Sequence, residues 1–178
     1  KFQVSENAWR KGGAATGGST MFLPPNSQVR VEDLIRGIVI QSGNDACIVV
    51  AENLAGSEEA FARRMTDRAA ALGMTSSNFV NSTGWPDPEH RTTAHDLALL
   101  AERTVKDFPE YLHYYSEPEF TFNGIRQSNR NPLIYGYPGA DGLKTGHTEE
   151  AGYGLTGTAV QGDRRLILVI NGVASAKD

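Results

Sequence analysis

The spacing of apolar residues changes from helical to strand-like near residue 110, and this change constrains the fold more than any other feature. Between residues 31 and 109, apolar side chains recur at the interval of an amphipathic helix. Later, Gly152 to Val160 and Arg164 to Val173 are rich in strand-forming residues, and Gln161-Gly162-Asp163 between them is typical of a hairpin. Because helices come first and antiparallel strands last, the sequence predicts an α+β fold, with a helical cluster packed on an antiparallel sheet.

The helical part has recognisable boundaries. The predicted helices are residues 31–40, 46–54, 57–72 and 93–108. Ser57 suits an N-cap, Gly73 and Pro109 end helices, and Ser42-Gly43-Asn44 breaks the first apolar run. Paired glycines and prolines predict a loop from Gly12 to Pro25, and Asn123-Gly124 predicts a short hairpin that includes Phe120-Thr121-Phe122.

Composition excludes several classes of partner. The net charge is -4 and there is no run of Lys or Arg, so no nucleic acid or anionic membrane surface is predicted to bind. The longest apolar stretches, such as Leu166 to Ile170, are far shorter than the roughly 20 residues needed to cross a bilayer. A length of 178 residues suits one domain.

The sequence predicts neither a metal site nor a cofactor. The four histidines have no spacing that places two on one helix face, and Cys47 is the only cysteine. Its apolar neighbours predict that Cys47 is a buried small side chain. Glycines between residues 12 and 18 match neither a dinucleotide fingerprint nor a phosphate-binding loop.

Lys144-Thr145-Gly146 is a candidate peptide-binding segment just before the last hairpin. A lysine ammonium and a threonine hydroxyl can bind a carboxylate, and glycine lets a substrate backbone approach a strand. A tripeptide alone is a weak signal, and an ordinary strand and turn is the alternative.

Ser42-Gly43-Asn44 is a second candidate because side chains at a helix break can point into a cleft. A serine hydroxyl there can relay a proton, and an asparagine amide can donate and accept hydrogen bonds. Helix capping by Ser42 or Asn44 is the alternative explanation.

Together the two motifs resemble the signature of penicillin-binding proteins and class A β-lactamases, in which a Ser-x-x-Lys motif is accompanied by Ser-Asp-Asn and Lys-Thr-Gly. The variant Ser-Gly-Asn is similar to the D-alanyl-D-alanine carboxypeptidases. Three longer stretches resemble that family in order and spacing: residues 37–47 (GIVIQSGNDAC), 119–131 (EFTFNGIRQSNRN) and 141–154 (DGLKTGHTEEAGYG).

The resemblance implies a β-lactamase/transpeptidase-like fold and a role for each matching residue. Ser42 would pass a proton to the departing D-alanine, and Asn44 would position the acyl amide. Lys144 and Thr145 would bind the terminal carboxylate, and Gly146 would let the peptide pair with the strand. Arg130 would hold charge near that end of the cleft or be a solvated surface arginine, and His147 continues the family pattern with an open role.

The sequence departs from the family in one respect: no serine is followed three positions later by lysine. The resemblance implies that the nucleophilic serine and its lysine lie upstream of Lys1, on a helix packed in the middle of the domain. It also implies that a further carboxylate-binding arginine follows Asp178. Residues 1–178 are therefore expected to be one catalytic domain that is incomplete at both ends.

The expected activity of the parent protein is hydrolysis of the D-Ala-D-Ala bond of peptidoglycan stem peptides through an acyl-enzyme, with β-lactams as substrate mimics. The expected location is the cell envelope, periplasmic or on the outer face of the cytoplasmic membrane, with anchoring by a C-terminal helix beyond these residues. The alternatives are a serine β-lactamase and a non-catalytic peptidoglycan-binding fragment. The preferred stem peptide and the oligomeric state stay open.

Overall fold

The computed structural model describes residues 1–176 and divides the chain into two compact units. The first unit is Lys1–Arg64, Val80–Gly84 and Glu117–Arg130. The described residues of the second are Met65–Phe79, Trp85–Ser116 and 131–176.

The first unit is mainly helical. Its helices are α1 (Glu6–Gly12), α2 (Val31–Val39) and α3 (Asn44–Ala55), and α4 (Glu58–Ala71) begins in it. Two small antiparallel pairs join β1 (Phe2–Gln3) to β2 (Gln28–Val29) and β3 (Glu119–Phe122) to β4 (Ile125–Ser128). A 3-10 turn covers Ala14–Thr16.

Apolar side chains from separate parts of the first unit form its core. The apolar side chains larger than alanine that are at most 3% exposed there are Val4, Met21, Leu23, Val29, Leu34, Ile40, Ile48 and Val49. Burying one such side chain stabilises the fold by about 1.5–3 kcal/mol. The α2 and α3 faces thus hold together the segments on either side of the Ser42 break.

The second unit combines helices with a three-stranded sheet. After the end of α4 come α5 (Ala94–Asp107), a 3-10 turn (Pro109–Tyr111), α6 (His113–Ser116) and α7 (Leu133–Gly136). The strands β5 (Ala140–Thr148), β6 (Gly152–Gln161) and β7 (Arg164–Val173) are antiparallel in the order β5-β6-β7. Helix α5 lies against β6 and β7.

The predicted α+β class, the four helices and both hairpins are confirmed. Three details differ. Helix α3 begins at Asn44 rather than Ala46, because Gly43 takes the N-cap position. The predicted loop from Gly12 to Pro25 contains the 3-10 turn, and Cys47 is half-buried rather than fully buried. Within residues 1–176, no helix has the length and apolar character required to cross a membrane.

Candidate active site

Ser42 occupies a strained turn between α2 and α3. Its φ is 57°, a left-handed conformation that costs most L-residues free energy. The turn is closed by a hydrogen bond of 2.9 Å from Gly43 N–H to the Gly37 carbonyl. Because Gly43 is the N-cap of α3 and supplies no side-chain cap, neither Ser42 nor Asn44 occupies that capping position. Both side chains are half-exposed.

Residues 18–23, which we call the flanking segment, lie directly against this turn. The Asn44 N–H donates to the Ser19 carbonyl at 2.9 Å. A Cβ on Gly18 would lie 2.9 Å from Asn44 Nδ2, so glycine leaves room for the amide. From β4, Gln127 Nε2 donates to the Thr20 carbonyl at 2.9 Å.

Arg130 donates a short hydrogen bond to the Ser19 hydroxyl. Its guanidinium is partly buried although the residue as a whole is exposed, and burial lowers its pKa. An arginine remains charged near neutral pH despite such a shift. Ser19 therefore links the positive charge of Arg130 to the backbone of Asn44.

Gln41 and Asp45 fix the two ends of the Ser42 turn. Gln41 is fully buried and its Nε2 donates to the Phe120 carbonyl of β3 at 3.1 Å. Gln41 Oε1 is the buried side-chain oxygen that has no hydrogen-bond partner among the described residues. Asp45 is also fully buried and accepts hydrogen bonds from the flanking segment.

In the second unit, Lys144, Thr145 and Gly146 lie on β5, which pairs only with β6 in the described part of the chain. An open strand edge can pair with an extended peptide. Lys144 and Thr145 are half-exposed, and Lys144 Nζ donates to the Thr145 carbonyl at 2.6 Å. A Cβ on Gly146 would meet no described atom within 4 Å.

His147 has a packing contact that explains its position. It pairs across the sheet with Tyr153, and the two ring centroids are 4.0 Å apart at an interplanar angle of 31°. Such a ring pair stabilises the end of the hairpin.

Asn131 holds the start of β5 in place. It is 1% exposed, and its Nδ2 donates to the Gly142 carbonyl at 2.8 Å while its Oδ1 accepts from Leu133 N–H at 3.0 Å. Asp141 is fixed from β7 by Arg165 at 2.8 Å. The strand that carries Lys144 is thus anchored at its N-terminal end.

A cleft of about 350 Å³ opens beside Lys144 within the second unit. Its walls come from α5, β5 and β6, together with Tyr115 and with Asn171 of β7, and are mostly apolar. Burial raises the pKa of the Tyr115 hydroxyl, so this residue is neutral at physiological pH.

The predicted site residues fall into two groups. In the first unit, Asn44 and Arg130 are both hydrogen-bonded to Ser19, and Ser42 lies in the adjoining turn. In the second unit, residues 144–147 are consecutive on β5. Sequence reasoning missed Ser19, Asp45 and Asn131. In the sequence, Asp45 is a carboxylate at the start of an apolar helical run. Such a carboxylate is normally interpreted as stabilising the helix through its dipole.

Comparisons with known proteins identify a matching family and similar chains. A family profile described as D-alanyl-D-alanine carboxypeptidase, peptidase S11, matches residues 1–175. The D-alanyl-D-alanine carboxypeptidase DacC of Escherichia coli (strain K12) is 47% identical over 171 residues, which cover 95% of this chain and 43% of that protein. The chain therefore spans less than half the length of this relative.

Two solved structures extend the likeness to the fold. Penicillin binding protein 5 from Haemophilus influenzae superposes with a TM-score of 0.93 at 39% identity, over 99% of this chain and 51% of that one. Penicillin-Binding Protein D2 from Listeria monocytogenes, in its cefotaxime-bound form, gives a TM-score of 0.78 at 31% identity, over 98% and 66% of the two chains.

Proposed function

The chain belongs to the D-alanyl-D-alanine carboxypeptidase family, and we propose that the protein of which it is part hydrolyses the terminal D-Ala-D-Ala bond of peptidoglycan stem peptides. A serine oxygen attacks the carbonyl of the penultimate D-alanine, the C–N bond breaks, and D-alanine leaves with a proton. Water then hydrolyses the acyl-enzyme and regenerates the serine.

The observation that carries this proposal is the position of Lys144-Thr145-Gly146 on an open strand edge. A stem peptide can pair with β5 as an added strand, while Lys144 and Thr145 bind its terminal carboxylate. No described atom would contact a Cβ on Gly146. The described neighbours of Gly146 thus give no steric reason for glycine, whereas an approaching peptide backbone does.

The residues of the first unit are proposed to transfer a proton and to bind the acyl group. Ser42 passes a proton to the departing D-alanine, and Asn44 hydrogen-bonds the acyl amide. The half-exposed side chains at the helix break support these roles. Arg130 contributes positive charge through its contact with Ser19. His147 is proposed to support the strand through Tyr153.

The nucleophile is proposed to lie outside residues 1–178, since none of their serines precedes a lysine by three positions. The mostly apolar cleft beside Lys144 supports a helix packed there as the carrier of Ser-x-x-Lys. We further propose one catalytic domain, a location in the cell envelope facing the periplasm or the outer face of the cytoplasmic membrane, and anchoring through a C-terminal helix.

β-Lactams are proposed to acylate the same serine because they mimic D-Ala-D-Ala. Two structures of Penicillin-Binding Protein D2 from Listeria monocytogenes show it in cefotaxime-bound and ampicillin-bound forms, which supports this assignment. A carboxypeptidase forms a long-lived penicilloyl-enzyme, whereas a β-lactamase turns penicillin over.

The test uses the complete protein and its Lys144→Ala variant. Release of D-alanine from a synthetic peptide ending in D-Ala-D-Ala is measured together with the rate of acylation by penicillin. Loss of a group that stabilises developing charge typically costs about a hundredfold or more, and both rates should fall by that order. Lys106→Ala, at an exposed lysine of α5, is the matched control and should retain both rates.

Three results would contradict the proposal in different ways. Rapid penicillin turnover without D-alanine release would identify a β-lactamase. Peptidoglycan binding without acylation would identify a non-catalytic binding protein. A Lys144→Ala variant with wild-type rates would remove Lys144 from the site.

A further inference from the structure

Asp45 follows Asn44 directly, yet it faces the interior rather than the site opening. Its side chain is fully buried and accepts four hydrogen bonds. Oδ1 accepts from the N–H groups of Met21 and Ala46 at 2.8 and 2.9 Å. Oδ2 accepts from the Thr20 hydroxyl at 2.8 Å and from Leu23 N–H at 3.0 Å. Hydrogen bonds to an ionised carboxylate are stronger than those between neutral groups.

These bonds hold a strained part of the flanking segment. Phe22 has a φ of 61°, which is rare for an aromatic residue, and the Asp45 carboxylate binds the N–H groups on either side of it. The Thr20 hydroxyl also accepts from Phe22 N–H at 3.1 Å. Without the carboxylate, this stretch would lose the contacts that oppose its strain.

The flanking segment is packed too closely on the Ser42 turn to move independently. A Cβ on Gly43 would lie 3.0 Å from Asp45 Oδ1 and 3.1 Å from the backbone nitrogen of Met21. On the other side, the Ser19 carbonyl accepts from Asn44 N–H. A displacement of residues 20–23 therefore changes the positions of Ser42 and Asn44.

We propose that Asp45 is a positioning residue of the carboxypeptidase site, whose buried carboxylate holds the flanking segment against the Ser42 turn and so sets the placement of Ser42 and Asn44. The inference rests on the proposed function. Asp45 touches no reacting atom; it acts through the backbone on both sides of the turn.

Asp45→Asn tests the carboxylate with little change in shape. Both oxygens of Asp45 face donors, so an amide nitrogen on either side would confront N–H or hydroxyl groups that need an acceptor. The flanking segment must then shift. A displacement near 1 Å at a catalytic group can cost about 100-fold in rate, so we expect acylation by penicillin to fall about 10-fold to 100-fold in the complete enzyme.

Asp96→Asn is the matched control. Asp96 is 2% exposed and accepts from Ser76 N–H at 3.0 Å and the Ser77 hydroxyl at 2.7 Å. The same chemical change there should reduce stability without slowing acylation at a temperature well below both unfolding transitions. Equal acylation rates in the two variants would overturn the proposal.

A double-mutant cycle with Ser42→Ala separates positioning from stability. If Asp45 acts by placing Ser42, Asp45→Asn should slow D-alanine release much less in the Ser42→Ala background than in the wild type. If Asp45→Asn slows D-alanine release by the same factor in both backgrounds, Asp45 does not act through Ser42. As a single substitution, Asp45→Asn should lower kcat and leave KM unchanged, because substrate binding by Lys144 and Thr145 is unaffected.

Thr20→Val provides a test that does not depend on the Asn variant folding. Valine matches the shape of the buried threonine and removes only the hydroxyl that bridges Asp45 and Phe22. We expect acylation to fall about 10-fold; an unchanged rate overturns the inference. If the wild-type enzyme itself neither releases D-alanine nor reacts with penicillin, the proposed function fails instead, so the two failures are distinct.

Discussion

Ser42 is a half-exposed residue with a backbone conformation that serine rarely adopts. Left-handed strain in a non-glycine residue costs about 1–3 kcal/mol and tends to occur at functional sites. Glycine would relieve the strain, so selection for stability without selection for activity would favour glycine at this position.

Ser42→Gly should therefore separate stability from activity. Relief of the strain stabilises the folded state, whereas the larger backbone entropy that glycine loses on folding destabilises it. The complete enzyme should therefore be as stable as the wild type or up to about 1 kcal/mol more stable. Its rate of D-alanine release should fall because the proton relay is gone. Thermal unfolding and turnover are measured on one sample, with Ser42→Ala as the variant that keeps the strain. Wild-type turnover in Ser42→Gly would exclude the hydroxyl from the chemistry.

Gly18 offers a second test at the scale of one residue. An alanine Cβ there would lie 2.9 Å from Asn44 Nδ2, which is the end of a flexible side chain and can move aside. Gly18→Ala should thus change stability by less than about 0.5 kcal/mol. Acylation by penicillin should fall about tenfold because the amide is displaced.

The control for Gly18→Ala is Gly136→Ala, at the end of α7. A Cβ on Gly136 would meet nothing within 4 Å, and its φ is not in the left-handed region. This variant should acylate at the wild-type rate. Similar rates for the two alanine variants would mean that the position of the Asn44 amide is unimportant.

At the scale of elements, Glu58 joins three separate stretches of the first unit. It is 5% exposed in the first turn of α4, accepts from Lys11 Nζ of α1 at 2.5 Å, and accepts from the N–H and hydroxyl of Ser82 at 3.1 and 2.9 Å. Burial raises the pKa of the carboxyl, but the hydrogen bonds from Lys11 and Ser82 outweigh it and hold the pKa below the usual 4.5.

Glu58→Gln should destabilise the protein in a pH-dependent way. A depressed pKa in the folded state contributes stability above the unfolded pKa of about 4.5, and that contribution is lost as pH falls through the lower folded value. At pH 7 the variant should be about 1–3 kcal/mol less stable, and the gap should narrow below pH 4.5. Urea unfolding at several pH values measures this. The control Glu102→Gln, at an exposed glutamate, should be as stable as the wild type at each pH. If the stability difference between Glu58→Gln and the wild type does not change with pH, the ionised Glu58 carboxylate is not what stabilises the protein.

Local patterns predicted the elements because their causes are local. The apolar spacing of α2, the Ser57 cap of α4 and the Asn123-Gly124 turn each act within a few residues, and each occurs as expected. Contacts between distant positions left no such pattern. The carboxylate of Asp45 meets Thr20 across 25 positions, and no periodicity marks that pair.

At the scale of the molecule, the motif residues fall into two compact units. The family signature assigns both motifs to one site, whereas helix and strand patterns give no reason to connect them. Lys144-Thr145-Gly146 is a weak signal by itself, and helix capping is the favoured explanation of Ser42-Gly43-Asn44 when that motif is taken alone. Their order and spacing gave the family, which the match over residues 1–175 confirms. Ser19 and Gly18 escaped notice because a glycine-rich loop predicts flexibility rather than a contact.

Penicillin labelling tests the assignment of the nucleophile for the molecule as a whole. A nucleophilic serine needs a positioned base within hydrogen-bond reach, and a lysine three residues later on a helix lies one turn away on the same face. No serine of this sequence has such a lysine. Fluorescent penicillin should therefore label the complete protein at one serine outside residues 1–178, and peptide mapping of the labelled protein identifies that serine. The 178-residue chain, incubated alone under the same conditions, should stay unlabelled. A covalent adduct on Ser42, or on any other serine of this chain, would show that the nucleophile had been assigned to the wrong segment.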